Sequence, residues 1–178
     1  MNLKRSKIIS VIGIFLLSFL FHSMYEWFPN CITAIFFPVN ESIWEHMKLI
    51  FTSVVFYGVI DYIILNKCKI KHNNFFISLF VSSITIIPIF LIMYLPLYYK
   101  IGAKMYLNIG IMLIAMIISQ IISYYILKSK KLYELNIISL ILIIITYIAL
   151  AYLTYNPIKC KIFFDPLNEK YGINNYNI

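Results

Sequence analysis

One stretch, Asn40-Glu41-Ser42-Ile43-Trp44-Glu45-His46-Met47-Lys48, combines acidic, basic and histidine side chains immediately before a long apolar run. The stretch holds two of the seven acidic residues, one of the three histidines and one of the two tryptophans. Ser42 and Glu45 have the spacing of a capping box, and Asn40 is a suitable N-cap, so a helix is expected to begin here. Residues 49–65 follow directly and are apolar except for Asp61 and a few small or hydroxyl residues. The sequence therefore predicts a membrane helix whose first turns are ionisable.

Helical spacing then predicts which of these side chains share a face. Glu41 and Glu45 are expected one turn apart, with Lys48 close behind them. Ser42 and His46 form the neighbouring stripe. Carboxylates and an imidazole would thus be presented together at one end of the helix.

The composition identifies the class of protein. The mean hydropathy is +0.86, 62% of the residues are hydrophobic and only 12% are charged. A soluble domain would carry about twice that share of charge. The net charge of +8 does not indicate nucleic-acid binding, because the lysines lie at the ends of hydrophobic runs. We expect an all-α bundle that forms a single membrane domain over residues 1–178, with membrane lipid as its surroundings.

Five apolar runs are long enough to be membrane spans. The predicted spans cover residues 8–28, 49–65, 75–97, 105–127 and 135–155. Residues 29–39 are short, mostly apolar and bracketed by prolines, so an interfacial segment is expected there. The polar residues 156–178 form a tail.

The distribution of lysine and arginine predicts the orientation in the membrane. The N-terminus and the turns after the second and fourth spans carry nine of the fifteen basic residues, and the opposite side carries six. Because cytoplasmic loops are enriched in basic residues, we expect a multi-pass protein of the cell membrane with its N-terminus inside and its C-terminus outside.

Two motifs on adjacent spans suggest a metal site. His22 and Glu26 are four residues apart near the outer end of the first span, and this span is joined to the second by a short link. We therefore expect one outward-facing pocket, which would hold a divalent ion such as zinc. The expected ligands are His22, Glu26, Glu41, Glu45 and His46. Histidine and carboxylate are zinc ligands, and a catalytic site leaves one position open. Glu41, Glu45 and His46 are the candidate catalytic residues.

A purely structural interpretation of the same residues is also open. Glu45 closes a capping box, Glu41 complements the helix dipole and Trp44 lies in the interfacial aromatic belt. This interpretation explains His22 poorly, because an ionisable side chain within a span usually has a partner. For Asp61, we expect pairing with Lys67 or Lys69.

Residues 38–48, with the pattern P-V-N-E-S-x-W-E-H-x-K, resemble the signature of a small bacterial polytopic membrane family of unknown function. The resemblance extends to residues 22–27 (HSMYEW), which include Tyr25, and to residues 164–166 (FDP) and 171–173 (YGI). It implies an integral membrane protein and supplies no activity.

The tail is expected to fold back over the pocket. Asp165 precedes a proline and Gly172 permits a reversal, so both favour turns. Asp165 would reach the start of the second span and pair with Lys48 or add a ligand. A disulfide between Cys31 and Cys160, both on the outer side, would fix this lid.

Three functions are consistent with the sequence. The first is a metal-dependent hydrolase or transferase, embedded in the membrane, that acts on a lipid-type substrate. The second is a cation- or proton-binding transport component. The third is a structural or accessory protein whose motif serves as a helix cap.

Overall fold

A computed structural model describes residues 1–102 and 104–173. In chain order the elements are α1 (Leu3–His22), α2 (Met24–Trp27), α3 (Cys31–Phe36), α4 (Ile43–Lys67), α5 (Phe75–Ile101), α6 (Met105–Lys128), α7 (Tyr133–Tyr155), β1 (Phe164–Asp165) and β2 (Lys170–Tyr171). Within the described ranges, five helices are long and apolar enough to cross a membrane, and α2 extends the first of them. The only sheet in these ranges is the antiparallel hairpin of β1 and β2. The predicted all-α fold is therefore confirmed.

Helices α1 and α4 begin earlier than hydropathy alone predicts, because polar caps extend them beyond the apolar runs. Helix α1 begins at Leu3, where the side chain of Asn2 accepts a hydrogen bond from the backbone of Arg5 at 2.9 Å. Helix α4 begins at Ile43, six positions before the apolar run, and its N-cap is Ser42. Residues 29–39 contain the short helix α3, whose capping box is formed by Asn30.

Helix α4 is the most buried of the five long helices. It packs against α1 and α5, and α6 packs against the same two helices. The core between them is apolar and consists of residues from all four helices, among them Ile14, Ile50, Val54, Ile86, Phe90, Ala115 and Met116. Helix α7 packs on α5 and α3 at the side of this core. The start of α4 is thereby held between α1, α3 and the C-terminal tail.

A buried ion pair lies at the opposite end of α4. Asp61 pairs with Lys7 of α1 and accepts hydrogen bonds from Ser6 and Ser10, at 3.3 and 3.1 Å. Lys7 also donates to Gln120 of α6 at 3.4 Å. The expected pairing of Asp61 with lysines of the following turn is therefore wrong. Because α1 begins at Leu3, Lys7 lies on the buried face of this helix. It pairs there with Asp61 in place of Lys67 or Lys69.

Candidate metal centre

The turn before α4 places Glu41 outside the helix. The backbone N–H of Ser42 donates to Asn40 Oδ1 at 2.9 Å, and Ser42 Oγ accepts from the backbone N–H of Glu45 at 3.3 Å. Asn40 is therefore not the N-cap, and Glu45 does not complete a capping box because the backbone of Ser42 is already bonded. The expected common helical face for Glu41 and Glu45 is likewise wrong. Glu41 instead extends from the turn toward α1.

His22, Glu41 and His46 form a compact cluster. Glu41 Oε1 lies 3.4 Å from His22 Nε2, and Glu41 Oε2 lies 3.6 Å from His46 Nε2. Each residue offers one ligand atom, and these three atoms lie within 4.8 Å of one another. The two imidazole rings are tilted, with centroids 5.6 Å apart. The end of α1, the turn and the first turn of α4 thus bring three of the predicted ligands together.

The donor types of this cluster, and part of its spacing, resemble those of a tetrahedral zinc site. Ligand atoms bound at about 2.0–2.2 Å in a tetrahedron lie about 3.3–3.6 Å from one another. The separations of 3.4 and 3.6 Å fall within that range, but they involve different oxygens of Glu41, and a set with one ligand atom from each residue lies within the wider distance of 4.8 Å. The donor set of two histidines and one glutamate is also one that catalytic zinc sites use, with the fourth position left open.

A hydrogen bond orients the ring of His46. Its Nδ1 lies 2.9 Å from the backbone carbonyl of Ser42, which can only accept, so Nδ1 carries the proton. In the neutral ring, Nε2 then has a lone pair that faces the Glu41 carboxylate, another acceptor. This contact becomes favourable when a cation, either a proton or a metal ion, lies between the two groups. Metal-binding histidines are commonly fixed by a backbone carbonyl in the same way.

The surroundings of Glu41 keep its carboxylate ionised. The hydrogen bond from His22 lowers the pKa of Glu41 most, burial and Asp165 oppose that shift, and electrostatic interactions with His46 and His22 add to it. The resulting pKa lies below the usual value for a glutamate. An ionised carboxylate is the form that binds a metal ion.

Glu45, which we expected in the same pocket, is buried elsewhere. Its Oε2 lies 2.6 Å from Lys48 Nζ and accepts the backbone N–H of Val39 at 3.2 Å, while Oε1 accepts from Thr154 Oγ1 at 2.8 Å. Lys48 Nζ also donates to the carbonyl of Ala34 at 2.8 Å. The pair therefore joins α3, α4 and α7 behind the cluster, and it fixes the turn that carries Glu41.

The remaining predicted residues of α2 lie at the margin. Glu26 is exposed and is not part of the three-residue cluster, although it is only one turn from His22. Tyr25 is half-buried on the same short helix. The helix is interrupted at the single residue Ser23, between α1 and α2.

The C-terminal tail folds back against the start of α4, as expected. The backbone N–H of Trp44 donates to the carbonyl of Ile162 at 2.9 Å, and its indole stacks on Phe163 with ring centroids 4.6 Å apart. Asn40 Nδ2 donates to the carbonyl of Gly172 at 3.1 Å. The tail residues 174–178 lie outside the described residues. The part that is described thus covers one side of the cluster.

Asp165 stabilises this tail and does not pair with Lys48. Its carboxylate accepts from the backbone of Leu167 at 2.9 Å and from the Asn168 side chain at 2.8 Å. Burial raises the pKa of Asp165, but the hydrogen bonds from Asn168, Leu167 and the backbone of Glu41 together hold it below its ordinary value. Asp165 therefore reaches the turn before α4 through backbone contacts.

The expected disulfide is not formed. Cys31, Cys68 and Cys160 are all free thiols and are exposed. The contacts of Trp44 and Asn40 hold the tail in place of a cross-link.

A cavity of about 450 Å³ adjoins the cluster. Its walls come from α1, α4, α5, α6 and the tail, and they include Phe19, Leu49, Tyr94, Lys104, Met105, Asn108, Ile109, Met112, Pro166 and Leu167. His22, Glu41 and His46 all line it. Sequence reasoning missed the contribution of α6, because a single asparagine and a lysine near the end of a span give no signal of which partner they face.

Comparison with known proteins identifies the relationship of the chain. No curated protein and no solved structure matches it at a significant level. One family model matches residues 1–173, and it is described as a family of unknown function, DUF6512. The matched region includes α1 to α7, the turn before α4 and the described part of the tail. The chain therefore belongs to the DUF6512 family of unknown function.

Proposed function

We propose that this protein is a metal-dependent hydrolase or transferase, embedded in the membrane, that acts on a lipid-type substrate. One observation carries the proposal: two histidines and a glutamate converge within 4.8 Å at the edge of a largely apolar cavity of about 450 Å³. Ligand pockets for small molecules have volumes of about 300–1,000 Å³. A metal site that served structure alone would be closed by a fourth protein ligand.

The donors of the cluster and their proximity support the binding of a divalent ion such as zinc. His22, Glu41 and His46 would hold the ion. When bound, such an ion supplies Lewis-acid polarisation of a substrate oxygen and activation of water near neutral pH. In a hydrolysis, the hydroxyl of water joins the electrophilic carbon or phosphorus atom, the bond to the leaving oxygen or nitrogen breaks, and the leaving atom takes the proton.

The protein's own groups have distinct roles in this proposal. His22, Glu41 and His46 bind and orient the reacting centre. Glu45 is a positioning residue, because its carboxylate holds the backbone of Val39 and is sealed from the cavity by its contacts with Lys48. The tail excludes water from one side of the site, which strengthens electrostatic interactions within it. The bias of basic residues toward the other side supports a position of the cavity at the outer leaflet.

The alternative of cation transport has less support. A transport path would have to connect the cluster with the polar residues around Asp61 at the other end of α4. The α4 residues between them include Ile50, Val54 and Tyr57, which are buried in the apolar core. This core separates the two polar regions, so we favour the enzyme.

Metal analysis of the purified protein tests the proposal. The protein is purified in detergent without chelators, and its metal content is measured by mass spectrometry. We expect about one zinc or similar divalent ion per chain, with large losses in His46→Ala and Glu41→Gln. His72→Ala is the matched control, because His72 contacts the carbonyl of Ile70 at the other end of the bundle and should leave the metal content unchanged.

The outcomes separate the candidate functions. Metal-free folded protein, with unchanged melting of the His46→Ala variant, would contradict the proposal and favour the structural role. Stoichiometric metal together with hydrolysis of a lipid ester or phosphoester that His46→Ala abolishes would support the enzyme. Bound metal that crosses a vesicle membrane in a protein-dependent way would favour transport.

A further inference from the structure

We propose that the substrate carries a phosphate group beside an apolar chain and that Lys104 binds this phosphate. The substrate role of such a molecule rests on the proposed function, whereas its binding depends only on the cavity. The chemistry of the cavity wall, the side on which the cavity meets the bilayer and the charge of Lys104 each support the inference.

The cavity wall is divided into polar and apolar parts. Its polar groups include the cluster of His22, Glu41 and His46, together with the side chains of Asn108 and Lys104, all from one end of the bundle. The apolar part is formed by Phe19, Leu49, Met105, Ile109 and Met112. A volume of about 450 Å³ accommodates a headgroup and the first part of a chain. The wall therefore matches an amphiphile better than a fully polar metabolite.

The position of the cavity indicates how an amphiphile would enter. Phe19 of α1 and Met105 of α6 line the cavity and remain 47% and 79% exposed. In a membrane, these exposed apolar side chains would face lipid. The edge of the cavity lined by Phe19 and Met105 is therefore where a chain would extend into the bilayer while its headgroup lies inside.

Lys104 is the one lysine that lines this cavity. Lys104 is exposed, and among the described residues its side chain forms no ion pair. The carboxylates nearby are engaged, because Glu41 contacts the two histidines and Asp165 bonds within the tail. Its charge is therefore available to a substrate, and an ammonium group is a common ligand for phosphate.

Asn108 lies one helical turn after Lys104, and its backbone N–H donates to the carbonyl of Lys104 at 3.1 Å. Residues four apart project from the same side of a helix, and both line the cavity. The Asn108 amide can donate hydrogen bonds to phosphate oxygens beside the lysine. Both polar side chains therefore line the same cavity as His22, Glu41 and His46.

Binding measurements in a phosphate-free maltoside detergent test this inference. The probes are dioctanoyl phosphatidic acid, dioctanoylglycerol, which has the same chains without phosphate, and inorganic phosphate. We expect phosphatidic acid to bind most tightly. Lys104→Met should weaken that binding about tenfold or more, as expected for loss of a charge-assisted hydrogen bond, and should leave dioctanoylglycerol unaffected. Lys159→Met is the control, since Lys159 is exposed and lies outside the cavity wall.

The results also distinguish this inference from the proposed function. Equal binding of the two lipids, or unchanged phosphatidic acid binding in Lys104→Met with native melting, would overturn the inference and leave the metal site in place. Inorganic phosphate that binds as tightly as phosphatidic acid would overturn the inference that the ligand carries an apolar chain. Metal content is measured on the same samples. Lipid binding that depends on Lys104 in a metal-free protein would support the phosphate site and contradict the proposed metal-dependent enzyme.

Discussion

Lys48 Nζ lies 2.6 Å from Glu45 Oε2, and neither side chain is more than 1% exposed. The ammonium group also donates to the carbonyl of Ala34 and to Thr154 Oγ1, at 2.8 and 2.9 Å. The charges are therefore fully desolvated but completely paired. Such a pair contributes little compared with an apolar isostere, but removing one partner leaves an isolated charge in the protein interior.

We expect Lys48→Met and Glu45→Gln each to destabilise the protein by about 3–5 kcal/mol, the usual cost of breaking a buried ion pair. Melting in detergent gives the measurement. The double variant should be less destabilised than the sum of the two single variants, because no charge is left unpaired. Glu26→Gln is the exposed control and should change stability by less than about 0.5 kcal/mol. Additive losses would show that the pair acts as two independent contacts.

The ion pair at the other end of α4 gives a second prediction. Asp61→Asn leaves Lys7 buried without a counter-charge, so we expect a loss of about 3–5 kcal/mol in stability. Lys67→Met is the matched control, since Lys67 follows Asp61 on the same helix but is exposed. Its effect should be within about 0.5 kcal/mol. A larger effect of Lys67→Met than of Asp61→Asn would restore the pairing expected from the sequence.

Acid should loosen the tail. The pKa values of Asp165 and Glu41 are both lowered in the folded protein. A carboxyl group with a lowered pKa stabilises the fold above its unfolded pKa, about 3.9 for aspartate and 4.3 for glutamate. This contribution is lost as the pH falls below these values through the folded pKa. Emission of Trp44, which stacks on Phe163, should therefore change below about pH 4.

Three variants separate the contributions to this transition. Trp27→Phe removes the other tryptophan. In that background, Asp165→Asn should weaken tail docking at neutral pH and reduce the pH dependence of docking. Glu41→Gln should retain the share of the pH dependence that is due to Asp165. A transition that is identical in all backgrounds would assign it to other groups.

The stacking of Trp44 on Phe163 is expected to stabilise the docked tail. Phe163 is 6% exposed, and truncation of such a side chain costs about 3–5 kcal/mol. Phe163→Ala should therefore raise the population of the undocked tail by a factor of about 100 or more. The rate of tryptic cleavage at Lys159 and Lys161, both exposed, reports this population. Ile158→Ala, at a residue that is 58% exposed, should cleave at the native rate.

The orientation can be checked with the native cysteines, which are exposed and free. If the N-terminus is inside, a membrane-impermeant maleimide added to intact cells should label Cys31 and Cys160 but not Cys68. Variants that retain one cysteine each make the assignment unambiguous. Labelling of Cys68 alone would reverse the orientation and move the cavity to the inner leaflet.

The sequence was sufficient to predict the long helices and much of the cluster of His22, Glu41 and His46. Spans follow from hydropathy because a bilayer requires long apolar helices, and short links make neighbouring spans adjacent. His22 and His46 could be placed together on that basis alone. Glu41 was also expected there, although for the wrong local reason: it belongs to the turn and not to the helix.

The direction of the Glu45 side chain could not be predicted. The spacing of Ser42 and Glu45 is compatible with several conformations of the Glu45 side chain. The conformation that it adopts depends on Thr154, which is 109 positions away. The same applies to Asp61, whose partner is 54 positions away, and to Lys104, which faces the cavity only because α6 packs on α1. Local propensity carries no information about such contacts, because they arise from tertiary packing.

The three clustered residues come from a single stretch of the chain, residues 22–46, whereas much of the cavity wall comes from α6 and the tail. Substitutions in α6 or the tail can therefore reshape the wall without touching the cluster. Members of one family with this layout could retain a common chemistry while diverging in the molecules they accept. Exchanging α6 between two relatives would be a direct way to transfer that preference.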